Sequence, residues 1–255
     1  MSGEWGMAAG NLARIRERIE RAASRAERRA EEITLIGVSK THPSGQIREL
    51  YDAGVHHFGE NRVQEWESKQ ASLADLDATW HLIGHLQTNK AARASRLFHS
   101  IDSVDSGGLA ERLERARREF TVEDPEEKKK TREESPDVAG SGRLRVLIEV
   151  KLDPHAAKSG VRDEELPRLV EAVLRFPHLE LRGLMGVPPY FENAEKVRPY
   201  FRRLRELRDG LRVELGGETL PVLSMGMSHD FEVAIEEGAT EIRIGTALFG
   251  ERTKA

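Results

Sequence analysis

The sequence Leu144–Val150 reads LRVLIEV, and its centre is a continuous apolar run of Val146, Leu147 and Ile148. A strand with one face in water alternates apolar and polar side chains, whereas a strand that is buried on both faces does not need to alternate. Continuous runs of this kind are typical of parallel sheets that helices cover on both sides. The stretch therefore predicts a buried strand in a parallel α/β fold.

Similar short apolar runs recur along the chain, and amphipathic segments separate them. The predicted strands cover residues 34–39, 56–59, 79–84, 97–101, 144–150, 179–185, 221–224 and 241–245. The predicted helices between them cover residues 44–53, 61–73, 88–95, 108–119, 163–175, 193–211 and 230–237. Strands that alternate with helices in this way predict a single (β/α)8 barrel.

Two segments lie outside this repeat. Residues 11–32 carry apolar side chains at helical spacing, which predicts an additional N-terminal helix within residues 1–32 that packs on a barrel formed by residues 33–255. Residues 121–142 are highly charged and have almost no apolar side chains. Because such a segment buries too little surface to offset its ordering entropy, we expect a mobile insertion there.

The composition excludes several functional classes. The 40 basic and 44 acidic residues leave a net charge of -4, which does not favour a nucleic-acid-binding surface. The chain has no cysteine, so disulfides, thiolate metal sites and cysteine nucleophiles are excluded. No apolar run approaches the ~20 residues of a membrane span, and the N-terminus lacks the apolar region of a secretory signal. We therefore expect a soluble, cytoplasmic protein that binds neither nucleic acid nor membranes.

The residues that follow the strands carry the predicted chemistry, because the active sites of this barrel lie at the carboxyl ends of its strands. Lys40 directly follows the first apolar run. Lysines that are partly desolvated at such a place attack carbonyl groups and form Schiff bases. For this segment alone, an exposed lysine at a strand end is the alternative interpretation.

The seventh and eighth strands end in residues that suit a phosphate group, in agreement with the recurrent phosphate site of this fold. We predict that Ser228 is the N-cap of the following helix, where its hydroxyl either binds an anion or simply caps the helix. Gly245 permits close approach of the backbone, and Thr246 supplies a hydroxyl and an amide. Arg243 alternates with two isoleucines, which predicts that it projects toward the barrel mouth.

A lysine and a phosphate site together predict a ligand that has both a carbonyl and a phosphate. Pyridoxal 5'-phosphate meets both requirements. A phosphorylated sugar on a Schiff-base aldolase meets them too, so at this point both ligands remain open.

Five motifs in order carry a resemblance to a known family: IGVSKT at 36–41, FGENRVQE at 58–65, WHLIGHLQTNK at 80–90, LSMGMSHD at 223–230 and RIGTALFG at 243–250. Together they resemble the pyridoxal phosphate homeostasis protein family, which has the (β/α)8 barrel of the alanine racemase N-terminal domain. The resemblance implies pyridoxal phosphate held as a Schiff base on Lys40. The cofactor-binding residues that it implies are Lys40, Asn61, Ser224, Met225, Ser228, Arg243, Gly245 and Thr246.

The resemblance also implies a role in vitamin B6 homeostasis without catalysis, with PLP-dependent apoenzymes as possible partners. Racemases with this barrel add a second domain that carries a catalytic tyrosine, and no such domain follows the last predicted strand. We therefore expect a non-catalytic monomer, and a PLP-dependent amino acid racemase is the alternative.

The remaining aromatic and histidine residues are interpreted as structural. His81 and His85 are spaced four residues apart, but they fall at a strand end, so we expect no metal site. We expect Trp80 in the core and structural roles for His56 and His57.

Overall fold

Eight parallel strands pair in chain order and close into one barrel. The computed structural model describes residues 5–123, 142–153, 160–217 and 219–250. The strands are β1 Thr34–Val38, β2 His57–Glu60, β3 Thr79–Leu82, β4 Ser100–Val104, β5 Leu144–Val150, β6 Leu179–Gly186, β7 Val222–Met227 and β8 Glu241–Ile244. Pairing of β1 with both β2 and β8 closes the sheet, so the predicted barrel fold is confirmed.

Helices alternate with the strands and cover the outside of the barrel. Their bounds are α1 Trp5–Arg25, α2 Ser44–Asp52, α3 Val63–Lys69, α4 Ala91–Leu97, α5 Gly107–Glu123, α6 Leu166–Leu174, α7 Arg198–Glu214, α8 Phe231–Glu236 and α9 Thr246–Phe249. Stacked aromatic rings lie between the barrel and its helices. The ring centroids of Trp66 in α3 and Trp80 in β3 are 3.8 Å apart. The indole Nε1 of Trp66 also donates to the carbonyl of Leu97. The predicted core position of Trp80 is confirmed.

The leading helix ends earlier than its charge and spacing predict. Helix α1 stops at Arg25, and Glu27 has a φ of 55°, a left-handed conformation that does not continue a helix. Residues Ala30–Glu32 form only a short 3-10 turn. The apolar face of α1 is buried against α2, α8 and α9, and Arg18 pairs with Glu232 at 2.9 Å.

Two predicted strands have ends that are wrong by three residues. The strand predicted at 97–101 is Ser100–Val104, because Leu97 still belongs to α4 and the Phe98 amide donates to Ala94. The strand predicted at 221–224 continues to Met227. Its pairing with β8 shifts between Ser224 and Met227, and Gly226 there has a φ of 95°. A local irregularity of this kind leaves no periodic signal in sequence.

The charged insertion predicted at 121–142 falls almost entirely outside the described residues. Residues 121–123 still belong to α5, and the structure describes the chain again from Gly142. Most of the loop after β5, residues 154–159, also lies outside them. Among the helices that are described, none is long and apolar enough to cross a membrane.

Candidate functional site

Four neighbouring strands bring most of the predicted site residues to one edge of the barrel. Lys40 follows β1, Asn61 follows β2, Ser228 follows β7, and Gly245 follows β8. In the closed barrel the order of these strands is β7, β8, β1 and β2. Parallel strands end at the same edge, so residues that are far apart in sequence meet at the barrel mouth.

The turn after β8 packs directly against the segment that carries Lys40. A Cβ atom added at Gly245 would lie 3.5 Å from Cβ of Val38, the last residue of β1. Beyond Lys40, the ring of His42 stacks on Phe249 at 4.4 Å. Lys40 itself is half-buried. The structure therefore places the segment that carries Lys40 beside the predicted phosphate turn.

Ser228 does not cap the helix that follows it. Helix α8 begins at Phe231 with Asp230 as its N-cap, and Ser228 lies in the preceding turn. The prediction of an N-cap at Ser228 is wrong, because the strand runs three residues further than the sequence pattern indicates. The Ser228 Oγ instead accepts a hydrogen bond from the Ala247 amide at 3.3 Å. This bond connects the turn after β7 to the turn after β8.

Asp230 holds the turn in which Ser228 lies. Its Oδ1 accepts a hydrogen bond from the Met227 amide at 2.6 Å. Burial raises the pKa of the Asp230 carboxyl, while the Met227 hydrogen bond and the charge of Arg243 act to lower it. Asp230 is therefore a buried structural residue of the site that was not predicted from the sequence.

Gly245 and Thr246 leave the turn after β8 open. The Cβ contact at Gly245 is of ordinary length, so internal packing does not require a glycine there. Thr246 is exposed and is the first residue of α9. The missing side chain at Gly245 leaves the backbone accessible to a ligand from outside the barrel.

Arg243 lies inside the barrel and reaches toward the carboxyl ends of the strands. Its Nη1 donates to the Ser224 Oγ at 2.8 Å, and its Nη2 donates to the carbonyl of Gly186, the last residue of β6, at 2.9 Å. These bonds use two of the five N–H donors of a guanidinium. Ser224 is thus placed beside Arg243 in the interior, while Ser228, Gly245 and Thr246 form the turns at the edge.

Acidic groups surround the buried guanidinium of Arg243. Burial lowers the pKa of Arg243, whereas the carboxylates of Asp102 and Glu241 favour its charged form. Burial raises the pKa of Glu241 to about 7, and the negative charge of Asp102 contributes a smaller part of this rise. Oxygen Oε2 of Glu241 is buried and has no hydrogen-bond partner. The interior of the barrel is therefore a network of coupled charges.

His81 belongs to the same interior network. Its Nδ1 is 3.0 Å from Oδ2 of Asp102, and its Nε2 is 3.2 Å from Nδ1 of His57. Burial acts to lower the pKa of His81, but Asp102 outweighs burial and raises it. In the described part of the chain, ligand atoms of His81, Asp102 and Glu241 lie within 4.8 Å of one another. His85 is not part of this group, since its ring faces Asp105.

Asn61 and Met225 differ in their surroundings. Asn61 is half-buried, and its backbone lies so close to Gly84 that a Cβ atom there would be 2.4 Å from the Asn61 carbonyl oxygen. Gly84 is therefore required for the close approach of the loops after β2 and β3. Met225 is fully buried among the side chains of the hydrophobic core.

Comparison with known proteins shows which families and proteins this chain is similar to. Residues 10–253 match the family described as alanine racemase, N-terminal domain. The pyridoxal phosphate homeostasis protein of Aquifex aeolicus (strain VF5) is 48% identical over 242 residues, which cover 94% of this chain and 96% of that relative. The chain belongs to the pyridoxal phosphate homeostasis protein family. The resemblance that the five motifs carry is thereby confirmed.

Solved structures agree with membership of the pyridoxal phosphate homeostasis protein family. PipY of Synechococcus elongatus PCC7942, in a structure with PLP bound, superposes with a TM-score of 0.74 at 40% identity, covering 91% of this chain and 100% of PipY. Alanine racemase from Corynebacterium glutamicum has a TM-score of 0.62 at 18% identity and is covered over 60% of its length. The likeness to the racemase shows a shared fold alone.

The donor set at the barrel mouth fits the cofactor in the name of the pyridoxal phosphate homeostasis protein family. A half-buried amine at Lys40 matches an aldehyde, and the open turn at Gly245 matches a phosphate. The buried guanidinium of Arg243 supplies a cationic donor that hydrogen bonds to Ser224 and Gly186 hold in place inside the barrel. The fit rests on neighbouring strands and not on any one residue.

Sequence reasoning missed the residues that support the site from behind. Glu60, Lys69, Gly84, Asp102, Asp230 and Glu241 all contact or surround the predicted residues. Glu60, Gly84 and Asp230 lie within the quoted motifs, so the motifs themselves are a signal. Lys69 and Glu65 are spaced i,i+4 in α3, and Glu241 lies two residues before Arg243 in β8. The contact of Asp102 with His81 joins two strands and leaves no local signal.

Proposed function

We propose that this chain binds pyridoxal 5'-phosphate and acts in intracellular vitamin B6 homeostasis as a carrier, buffer or regulator without catalysis. The observation that carries the proposal is the packing of the open turn at Gly245 against Val38, the last residue of β1, two residues before Lys40. A Schiff base on Lys40 would hold the aldehyde end. The relatives named for pyridoxal phosphate homeostasis and PipY with PLP bound support this assignment.

The site residues divide between the two ends of the ligand. Ser228, Gly245 and Thr246 would bind the phosphate through hydroxyl and amide groups of the two connected turns. Asn61 would line the site after β2, and Met225 would support it from the core. Ser224 would act through the hydrogen bond that it accepts from Arg243.

Arg243 would face the nitrogen of the pyridine ring. The bound cofactor supplies an aldehyde for amine capture and a ring that can accept electrons. A guanidinium stays charged near neutral pH and therefore opposes protonation of a nearby ring nitrogen, which weakens the ring as an electron acceptor. A chain with Arg243 at this position is suited to holding the cofactor more than to carbanion chemistry.

The racemase alternative requires a second acid or base at the site. The chain has three tyrosines: Tyr51 packs edge-on to His56, Tyr200 packs against the core, and Tyr190 is 76% exposed. We expect no exchange of the α-proton of amino acids in deuterated water, and exchange that depends on Lys40 would support a racemase.

The remaining parts of the proposal concern partners and location. We propose a cytoplasmic protein that serves PLP-dependent apoenzymes and binds neither nucleic acid nor membranes. A monomer is supported by its surface, since the large exposed apolar residues in the described part are Leu174, Val187, Tyr190 and Val213. Val187 and Tyr190 lie near each other in sequence and the other two are scattered, as on ordinary monomers.

The direct experiment is a spectrum of the purified protein with pyridoxal phosphate, followed by borohydride reduction and peptide mapping. We expect visible absorption and a label on Lys40. In Lys40→Ala the label should disappear while the protein stays folded, because a half-buried side chain at the mouth contributes little to the core. Lys151→Ala is the matched control, since Lys151 is also half-buried and directly follows a strand, β5.

Three results would contradict the proposal. A colourless protein without label at Lys40 would refute cofactor binding, and loss of the label in Lys151→Ala would move the site to β5. Trapping of a phosphorylated sugar on Lys40, with no trapping of pyridoxal phosphate, would support the aldolase instead.

A further inference from the structure

Lys69, the last residue of α3, is a largely buried cation that contacts Ser39, the residue before Lys40. Its side chain is 11% exposed, and its Nζ donates to three oxygens. The acceptors are the Ser39 carbonyl at 3.0 Å, Glu60 Oε1 at 3.0 Å and Glu65 Oε1 at 2.7 Å. An ammonium has three N–H donors, so every donor of Lys69 has an acceptor. We call Lys69, Glu60 and Glu65 the Lys69 cluster.

The Lys69 cluster holds the backbone on both sides of Lys40. On one side, the Ser39 carbonyl accepts from Lys69, and the Ser39 Oγ donates to Glu60 Oε1 at 2.8 Å. On the other side, the Thr41 amide donates to Glu65 Oε1, the same oxygen that Lys69 contacts. The two residues that flank Lys40 in sequence are therefore tied to one cation.

The conformation of Thr41 shows that this turn needs support. Its φ is 66°, in the left-handed region that β-branched residues rarely adopt. Such a conformation persists where the surrounding contacts hold it, and it is found at ligand sites. The hydrogen bond from Thr41 to Glu65 is a contact of this kind.

Electrostatics makes Lys69 the centre of the cluster. Burial raises the pKa of Glu60, while Lys69 and Ser39 act to lower it, and the Glu60 Oε2 has no hydrogen-bond partner. For Glu65, burial also acts to raise the pKa, but the hydrogen bonds from Lys69 and Thr41 outweigh it and lower the pKa. Both carboxylates therefore depend on the same ammonium group.

An ion cluster of ordinary structural type exists elsewhere in the molecule for comparison. Glu237 is buried and accepts from Arg198, Arg202 and Arg205 of α7. Those contacts join the end of α8 to α7 and involve no residue that flanks a predicted site residue. The Lys69 cluster differs because its contacts fall on Ser39 and Thr41.

We propose that Lys69 is a positioning residue for Lys40, which fixes the turn so that the Lys40 amine is presented to an aldehyde at the barrel mouth. The proposal rests on the function proposed above for Lys40. Lys69 does not touch the ligand and forms no bond to it. It acts through Ser39 directly and through Thr41 by way of Glu65.

The test compares Lys69→Met with the conservative Lys69→Arg and with Glu237→Gln as the matched loss of a buried ion pair. In Lys69→Met we expect the apparent dissociation constant for pyridoxal phosphate to rise about tenfold or more, since small misplacements of a reacting group are costly. At saturation, borohydride should still label Lys40. Lys69→Arg should recover most of the affinity, and Glu237→Gln should bind as the unmodified protein does.

A second readout needs no cofactor. Hydrogen exchange of the Thr41 amide should become faster in Lys69→Met and in Glu65→Ala, but not in Glu237→Gln. Glu65→Ala is the safeguard against misfolding, since it removes the Thr41 contact and leaves Glu60 paired with Lys69. Glu65→Gln retains an acceptor oxygen and should restore slow exchange.

The outcomes separate the two proposals. If the unmodified protein is not labelled at Lys40, the proposed function fails, and the positioning role fails with it. If Lys40 is labelled but Lys69→Met and Glu65→Ala bind pyridoxal phosphate as Glu237→Gln does, only the positioning role is overturned. Lys69→Met, Glu65→Ala and Glu237→Gln could instead all lose affinity in proportion to their loss of thermal stability. That result would also overturn the positioning role and show that Lys69 is a structural residue.

Discussion

At the scale of single residues, Arg243 shows how the surroundings set the chemistry of a side chain. It is buried, yet it has hydrogen-bond acceptors at Ser224 and Gly186 and carboxylates nearby. A buried charge is tolerated where it is paired and hydrogen-bonded. Arg243 can therefore keep a fixed charge at the barrel mouth.

Thr246 is the residue where phosphate recognition can be tested separately from amine capture. Thr246→Ala should weaken pyridoxal phosphate binding about fivefold, as expected for one lost hydrogen bond of ~1 kcal/mol. Pyridoxal without the phosphate should bind both proteins equally, and Lys40 should still be labelled. Titration with both ligands measures this, and Thr246→Ser is the control. An equal loss for both ligands would contradict a phosphate contact.

Glu241 predicts a specific dependence of stability on pH. Its pKa is raised to about 7 in the folded protein from an ordinary value of 4.5. Between these values the folded state holds a proton that the unfolded state has lost, so this group's contribution to stability falls as pH rises from about 4.5 to about 7. At about 1.4 kcal/mol per unit of pKa shift, the total is about 3 kcal/mol.

Glu241→Gln should therefore gain stability relative to the unmodified protein across that pH range, as measured by denaturant unfolding. Glu237→Gln is the control, because the pKa of Glu237 is shifted in the opposite direction from that of Glu241. Burial acts to raise the pKa of Glu237, but the hydrogen bonds from the arginines of α7 outweigh it and lower the pKa. Its stabilising contribution is present above about pH 4.5 and is lost as pH falls. A flat difference for Glu241→Gln would contradict the interior network.

At the scale of elements, close approach between strands decides where glycine is needed. A Cβ atom at Gly183 in β6 would lie 1.8 Å from the Val222 carbonyl oxygen in β7. Gly210 in α7 has no neighbour within 4 Å of its Cβ position. The two glycines are therefore a matched pair for a test of strand packing.

Gly183→Ala should destabilise the protein by about 3 kcal/mol or more, because β6 and β7 must separate. Gly210→Ala should instead stabilise it by about 0.5–1 kcal/mol, because alanine favours the helix and restricts the unfolded chain. Thermal or denaturant unfolding of both variants measures the difference. A mild effect at Gly183 would mean that the β6–β7 contact is looser than described.

At the scale of the whole molecule, the leading helix shares one core with the barrel. Ile15 is fully buried, and the apolar face of α1 belongs to the same cluster as strands β1 and β8. Segments that share a core unfold together. We therefore propose that residues 1–32 are not an independent unit.

Ile15→Ala should lower the free energy of unfolding by about 2–5 kcal/mol, as for other large-to-small changes in a core. The loss should appear in a single transition followed by both far-UV circular dichroism and tryptophan fluorescence. Arg14→Ala, at an exposed position of the same helix, should change stability little. Two separate transitions in Ile15→Ala would show that α1 can detach while the barrel stays folded.

The sequence alone was sufficient for the class of fold and for the family. Continuous apolar runs such as Leu144–Val150 report burial on both faces, and burial is a local property of each strand. Lys40 and Gly245 were predicted as site residues because each follows or ends an apolar run, and Arg243 because it alternates with two isoleucines. The order of the five motifs then indicated the family, which the Aquifex aeolicus relative confirms.

Only the tertiary structure decided how these residues are held. Packing of neighbouring strand–helix units brings Lys69 onto Ser39. Barrel closure brings Gly245 onto Val38 and Asp102 close to Arg243 and Glu241 of β8. The predicted end of β7 is wrong because the shift in pairing at Gly226 leaves no periodic pattern in the sequence. For the same reason the predicted N-cap at Ser228 is wrong, and Asp230 takes that position. Contacts across strands depend on register and closure, which are properties of the whole barrel, so local sequence patterns do not contain them.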